Sequence, residues 1–269
     1  MSLAGTIRRE TRRQLRLVRL LWHVVAGAAL AHSLLPLLRM RREPSAANAL
    51  VCWWVRRILA ILAVNVRAVG KPHPGATLLV ANHISWLDIP VVRAIVDVAF
   101  VSKEEVRRWP LIGAMAARAG TLFLARGNSD ASSVVADQMT WSLTQHRAIL
   151  VFPEGTTTRG NEVRNFHARL YQAAIRTRTC VQAVAVTYPH AGSTHPVVPF
   201  VDDDTLTRHI WVLLGEERLE AELHFCEPVN ARGLDRRTLA EITREQIAQA
   251  LGTLPAADAI NPCGATTIS

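Results

Sequence analysis

From residue 66 onward, short apolar runs alternate with helix-length stretches, and each of the first four runs ends on a polar or charged cluster. ATLLVA (76–81) is followed by Asn82 and His83, and VAFVS (98–102) by Lys103. TLFLA (121–125) is followed by Arg126, and AILVF (148–152) by Pro153-Glu154-Gly155. Runs this short, bounded by turn residues, predict buried strands rather than helices. The spacing predicts helices over Ser85–Val96, Val106–Ala119 and Asp130–His146. Trp109-Pro110 disturbs the start of the second, and Asn128 or Ser129 serves as cap for the third. Further on, a helix is expected over Asn165–Thr177, a strand over Val181–Thr187, an alternating edge strand over Arg218–Phe225 and a closing helix over Leu234–Leu251. This is an α/β pattern: a mostly parallel or mixed sheet flanked by helices. Open sheets of this kind bind ligands beyond the carboxyl ends of their strands. His83, Lys103, Arg126 and Glu154 should therefore share one edge and form one site.

The chain ahead of this pattern has a different texture. Six arginines (8, 9, 12, 13, 16 and 19) crowd the first twenty residues, and much of the formal charge of +9 comes from them. Leu20–Leu38 then carries no Asp, Glu, Lys or Arg, and a second apolar stretch runs over Leu50–Val64. The first stretch is about long enough to span a hydrocarbon core. Four readings are open: a spanning helix, a signal peptide cut near Ala29-Leu30-Ala31, a pair of helices dipping into one leaflet, and two ordinary amphipathic core helices. The third is favoured, because the apolar run continues past the cleavage-like site and positive charge flanks it on both sides. Expected boundaries are 1–65 for a basic arm and membrane-associated helices, 66–254 for the main domain and 255–269 for a loose tail. A basic balance calls for an anionic partner, and few aromatics with no nucleic-acid motif point to a lipid surface rather than to nucleic acid. The four cysteines lie far apart with no metal-ligand spacing, so neither a metal nor a disulfide framework is expected.

Three clusters carry candidate chemistry. In HISWLD (83–88), Asp88 lies one helical turn beyond His83 and would hold one ring nitrogen while the other takes a proton. The same residues also read structurally, since Ser85 and Asp88 have capping-box spacing. In GTLFLARG (120–127), Arg126 at a strand end suits a phosphate, or is a surface arginine. In VFPEGTTTRG (151–160), Glu154 stands at the mouth and Gly155 lets backbone N–H groups approach a ligand; a plain strand–turn is the alternative. GNSDA (127–131) nearly matches a nucleophile elbow and keeps a serine hydrolase on Ser129 open, with His209 or His224 as base.

Taken together, NHISWLD, VSKEEVRRWPLIG, GTLFLARG, FPEGT and the weaker VQAVAVTY, in this order, resemble the lysophospholipid acyltransferase family, typified by 1-acylglycerol-3-phosphate acyltransferases. The resemblance implies a membrane-associated O-acyltransferase that needs no cofactor. Its donor would be acyl-CoA or acyl carrier protein, and its acceptor the free hydroxyl of a lysolipid, foremost 1-acylglycerol-3-phosphate to give phosphatidic acid, with lyso-ornithine lipid as the alternative. It implies catalytic roles for His83 and Asp88. It implies substrate-binding roles for Asn82, Ser85, Lys103, Arg126, Glu154, Gly155, Thr156 and Arg159, with Asn82 also placed to set the His83 loop, and a place on the cytoplasmic face of the inner membrane. Phosphate-acceptor members commonly read F-P-E-G-T-R. Here Thr157 takes the last slot and the next arginine is Arg159, which resembles the branch that acylates lyso-ornithine lipid.

Overall fold

Leu79 and Ala81 join one hydrophobic core, Leu78 and Val80 join another, and all four are buried. That two-sided burial is why the run reads as continuously apolar, and it makes the strand the middle of a three-layer fold. A computed structural model describes residues 3–41, 44–109, 111–124 and 129–252, with backbone alone at 3, 44, 103, 124 and 129–133. The chain begins with helices α1 (Leu3–His32), α2 (Leu34–Met40) and α3 (Pro44–Ile61). Strands β1 (Val64–Val69) and β2 (Thr77–Ala81), helix α4 (Asp88–Ile95) and strand β3 (Val98–Lys103) follow. Helices α5 (Glu104–Arg107) and α6 (Ile112–Ala119) lead to strand β4 (Leu122–Leu124), helix α7 (Ser129–Thr144) and strand β5 (Ala148–Val151). After a 3-10 turn (Ala168–Tyr171) come α8 (Gln172–Thr177), β6 (Cys180–Thr187) and a small hairpin of β7 (Pro189–His190) and β8 (Ser193–Thr194). The described chain closes with α9 (Leu206–Leu214), β9 (Leu219–Phe225), β10 (Val229–Asn230) and α10 (Arg236–Ala250).

The main sheet has the order β1-β9-β6-β2-β5-β3-β4, with β10 on β6. Strands β6, β2, β5, β3 and β4 are mutually parallel, whereas β9 runs antiparallel to β6 and β1 runs parallel to β9. The sheet is therefore mixed, as expected, and the carboxyl ends of β2, β5, β3 and β4 share one edge. Several expectations are corrected. Strand β9 is not an edge: it alternates because only Leu219, Ala221, Leu223 and Phe225 face the core, while β1 lies beyond it. The 106–119 stretch is two helices, broken where Leu111 takes φ 60° after Trp109-Pro110. The chain from Asn165 does not enter helix until the 3-10 turn, because the His167 N–H is bound to the Pro153 carbonyl (2.9 Å). No element was expected at Leu206–Leu214, and β1 begins where the second apolar stretch was expected to end. The tail at 255–269 lies outside the described residues.

The N-terminal helices are packed onto the domain. Leu20, Val55, Leu59 and Leu62 belong to the same core as β2 and α4. His23 stacks on Trp54 (centroids 5.3 Å apart), its Nε2 donates to the Trp54 carbonyl (2.9 Å), and the indole donates back to the His23 carbonyl (3.2 Å). Much of the arginine arm faces protein. Arg12 donates twice to the Gly215 carbonyl (3.1 and 2.8 Å), Arg16 donates to the Leu214 carbonyl (3.2 Å), and Arg9 pairs with Glu216 (2.6 Å). Arg12 and Arg16 neutralise the carbonyl end of α9, Arg9 balances Glu216 just beyond it, and Arg8 and Arg19 are exposed members of the arm. The run Ala4–Met40 is long and apolar enough, by length and composition, to cross a membrane. Its burial is one-sided, however, with Leu15, Val18, Leu21, Trp22 and Val25 exposed opposite the packed face.

Gly27 marks how tightly α1 and α3 meet, since a Cβ there would lie 2.0 Å from Trp54 Nε1. In an exposed helix Gly→Ala gains about 1 kcal/mol. Here Gly27→Ala is expected to lose about 1–3 kcal/mol, because the indole is pinned on both sides. Thermal unfolding in micelles checks this; a raised melting temperature would contradict the packing.

Candidate active site

Where β2 ends, the main chain peels away from β6 and the Asn82 side chain takes over the ladder. Its Oδ1 accepts from the Val186 N–H (2.7 Å) and its Nδ2 donates to the Val186 carbonyl (3.0 Å). Asn82 is buried, so it sets the following turn and is not open to substrate. His83 stands on that turn with its side chain 18% exposed, stacked on Phe152 at the end of β5 (centroids 3.9 Å apart, planes 13° apart). Asp88 opens α4 and is fully buried. Its Oδ2 accepts from His83 Nδ1 (2.7 Å), Ile84 N–H (2.8 Å) and Ser85 N–H (3.0 Å), and its Oδ1 accepts from the Tyr188 hydroxyl (2.7 Å). A carboxylate ringed by donors can only accept, so His83 Nδ1 carries the ring proton and Nε2 holds the lone pair.

The capping box is half formed. Asp88 reaches back to the Ser85 N–H as such a box requires. The Ser85 hydroxyl caps nothing, since the helix's own cap position is Leu87 and the Asp88 N–H bonds the Ser85 carbonyl (3.0 Å). Ser85 is fully buried with its Oγ unpartnered among the described residues, so the expectation that it binds substrate is corrected.

The FPEGT segment is laced onto the His83 loop. Glu154 Oε1 accepts from the His83 N–H (2.9 Å) and Oε2 from the Arg164 N–H (3.1 Å). At 5% exposure, Glu154 is a backbone staple instead of the expected carboxylate at the mouth. Burial pushes its carboxyl above the usual range, and the two N–H donors act against that. Gly155 closes the turn with its N–H on the Phe152 carbonyl (3.1 Å) at φ +70°, and a Cβ there would press on His167 Nε2 (3.1 Å). Gly155 and Thr156 are exposed. The Thr158 N–H donates to the His83 carbonyl (2.8 Å), the Phe200 N–H donates to the Ile84 carbonyl (2.9 Å), and the Thr157 hydroxyl donates to the Phe200 carbonyl. Arg159 pairs with Asp202 (2.8 Å), and both side chains are largely exposed, at 67% and 73%.

The strand order places the ends of β3 and β4 on the same edge, farther out. Lys103 ends β3 and is described by its backbone alone; Arg126 lies outside the described residues. At about 4.8 Å between strands, the β4 end stands roughly 14 Å from the β2 end. Ser129 begins α7 with backbone alone described. Its expected partners are engaged elsewhere: His209 is buried with Nδ1 accepting from the Trp86 indole (2.9 Å), and His224 pairs with Glu222. Burial holds the His209 imidazole below its usual pKa. Among the described residues, no group of three or more His, Cys, Asp or Glu side chains could hold a metal ion. The sequence reading passed over Tyr188, Phe152 and Thr158. The available signal was position, since Phe152 and Tyr188 terminate the apolar runs of β5 and β6 at this same edge.

Residues 64–200 match the family model described as Acyltransferase. The chain is 41% identical over 199 residues, 74% of its length and 77% of the relative's, to the lyso-ornithine lipid O-acyltransferase of Pseudomonas aeruginosa. It is 31% identical over 208 residues, 76% of its length and 81% of the relative's, to the 1-acyl-sn-glycerol-3-phosphate acyltransferase of Neisseria meningitidis. Its fold is that of the crystal structure of the 1-acyl-sn-glycerophosphate acyltransferase PlsC from Thermotoga maritima. That match has a TM-score of 0.60 and 22% identity, and covers 91% of this chain and 99% of that one.

Proposed function

Because the chain belongs to the acyltransferase family, we propose that it transfers an acyl group from acyl-CoA or acyl carrier protein to the free hydroxyl of a lysolipid, and that lyso-ornithine lipid is its acceptor. The observation that carries the reaction is the His83–Asp88 pair at the parallel edge, with Nδ1 held by a buried carboxylate and Nε2 holding the lone pair. The acceptor hydroxyl gives its proton to His83 Nε2 as its oxygen attacks the thioester carbonyl. The new C–O bond forms, the C–S bond breaks, and the departing thiolate takes the proton back from the imidazolium. Asp88 balances the transient positive charge. Thiolate leaves readily, so positioning and proton removal are the enzyme's main tasks, and no acyl-enzyme is required.

The acceptor assignment rests on position 157 and on its neighbours in the fold. Thr157 supplies no charge and donates its hydroxyl to the Phe200 carbonyl, while the Arg159 guanidinium is balanced by Asp202. Among the described residues, Arg159 beside Asp202 offers a partner to each charge of an ornithine headgroup, which bears a carboxylate and an ammonium. The Pseudomonas aeruginosa relative supports the same reading. The exposed apolar face of α1, with Trp22, would rest in the interface of the cytoplasmic leaflet, where lysolipid and product reside. The test is an acyl-transfer assay in mixed micelles with lyso-ornithine lipid and lysophosphatidic acid offered in parallel. Transfer to lyso-ornithine lipid is expected to exceed the other by about tenfold or more. Equal or faster transfer to lysophosphatidic acid would overturn the acceptor assignment and make the product phosphatidic acid.

A further inference from the structure

We infer that Tyr188 is a positioning residue of the acyl-transfer reaction, holding the second oxygen of Asp88 so that the first stays aligned on His83. The inference rests on the reading of His83 as base. Three donors converge on Asp88 Oδ2, and all three come from the segment His83–Ser85, immediately before the aspartate itself. Those three bonds hold the carboxylate to its own loop. Oδ1 is different: its partner, the Tyr188 hydroxyl, belongs to the end of β6, one hundred residues further along the chain. This bond ties the catalytic loop to the sheet.

The tyrosine is itself well anchored. It is fully buried and its carbonyl accepts from the His195 N–H (2.7 Å), which closes the small β7–β8 hairpin above it. Two residues back, Val186 is bound through both backbone groups to Asn82. The end of β6 thus holds the turn twice, once ahead of His83 at Asn82 and once behind it at Asp88. Full burial also means that Tyr188 cannot touch either substrate, so its influence on the reaction passes through Asp88. Its hydroxyl remains a donor at any working pH, because burial, and then the Asp88 charge, push its pKa well above the usual value.

The chain has two tyrosines, and the second provides a matched control. Tyr171 is equally buried and likewise makes one side-chain hydrogen bond, to Thr243 (2.7 Å), but in the core on the other face of the sheet. Tyr188→Phe and Tyr171→Phe each remove one buried hydroxyl, so a purely structural role predicts similar consequences for both. A positioning role predicts that kcat falls about tenfold in Tyr188→Phe alone, with the KM of both substrates within about twofold of wild type.

The experiment measures kcat and KM in micelles for wild type, both Phe variants, His83→Ala and the double variant His83→Ala/Tyr188→Phe, with thermal melts reporting folding. With no base left to position, Tyr188→Phe is expected to cost nothing further in the His83→Ala background. Wild-type kcat in Tyr188→Phe, a loss expressed only in KM, an equal loss in Tyr171→Phe, or losses that multiply in the double variant would each overturn the inference. Wild-type turnover by His83→Ala would overturn the base reading itself, and the two failures are told apart by that single variant.

Discussion

His83→Ala is expected to lose acyl transfer by about 100- to 10,000-fold while the protein remains folded. The side chain is only partly buried and its one ring hydrogen bond goes to Asp88. Its other contact is the stacked face of Phe152. The structural bonds of this position are made by the backbone: the His83 N–H to Glu154 and the His83 carbonyl to the Thr158 N–H. Alanine keeps both. Stability should therefore change little and the loss should appear in kcat, since no other described side chain carries a base on a loop so braced. Rates in micelles, with a thermal melt alongside, check the result. A wild-type rate would remove His83 from the chemistry.

Asp88→Ala is expected to have the other large effect, and to show it in both stability and rate. The carboxylate is fully buried and accepts from four donors. Removing it strands the Ile84 and Ser85 N–H groups and the Tyr188 hydroxyl in the interior, each at about 1–3 kcal/mol. A total of about 3–9 kcal/mol is a large share of the roughly 5–15 kcal/mol that holds a domain folded. The rate should fall about 100-fold or more, because His83 loses both its tautomer control and its counter-charge. Asp88→Asn separates the two effects. It retains a carbonyl oxygen for the backbone donors and should recover part of the stability, but it cannot balance an imidazolium and should not recover the rate. If Asp88→Asn were as active as wild type, charge balance by Asp88 would be ruled out.

That the ends of β2, β5, β3 and β4 lie on one edge was legible because short apolar runs alternate with helix-length stretches, and strands joined in that way run parallel. The strand order could not be read in the same way. β9 alternates like an edge strand because its second face is not covered by a core helix, although β1 closes the sheet beside it. Two side chains at the site bond backbone atoms of a distant segment, Asn82 at Val186 and Glu154 at His83 and Arg164; the first agrees with Asn82 setting the His83 loop, the second departs from Glu154 as a carboxylate at the mouth. Side-chain bonds to a remote backbone leave no spacing rule in a sequence, because any residue supplies the N–H or the carbonyl. Tyr188 was passed over for a related reason: its partner lies one hundred residues earlier. The arginine arm was read as a lipid-binding patch on composition. In the fold, Arg12 and Arg16 neutralise the end of α9, an element that was not expected at all, and Arg9 pairs with Glu216 just beyond it.

The central claim is a direct, single-displacement transfer with His83 as base and no acylated protein. A rapid-quench single turnover with labelled acyl donor tests it most directly, with the acid-precipitated protein and the lipid product counted at each time point. The account predicts that product appears at the rate at which donor is lost, that the protein never carries label, and that donor is not consumed when acceptor is withheld. Label on the protein ahead of product, at Ser129 or elsewhere, would contradict it and would show a covalent route in place of the His83–Asp88 mechanism.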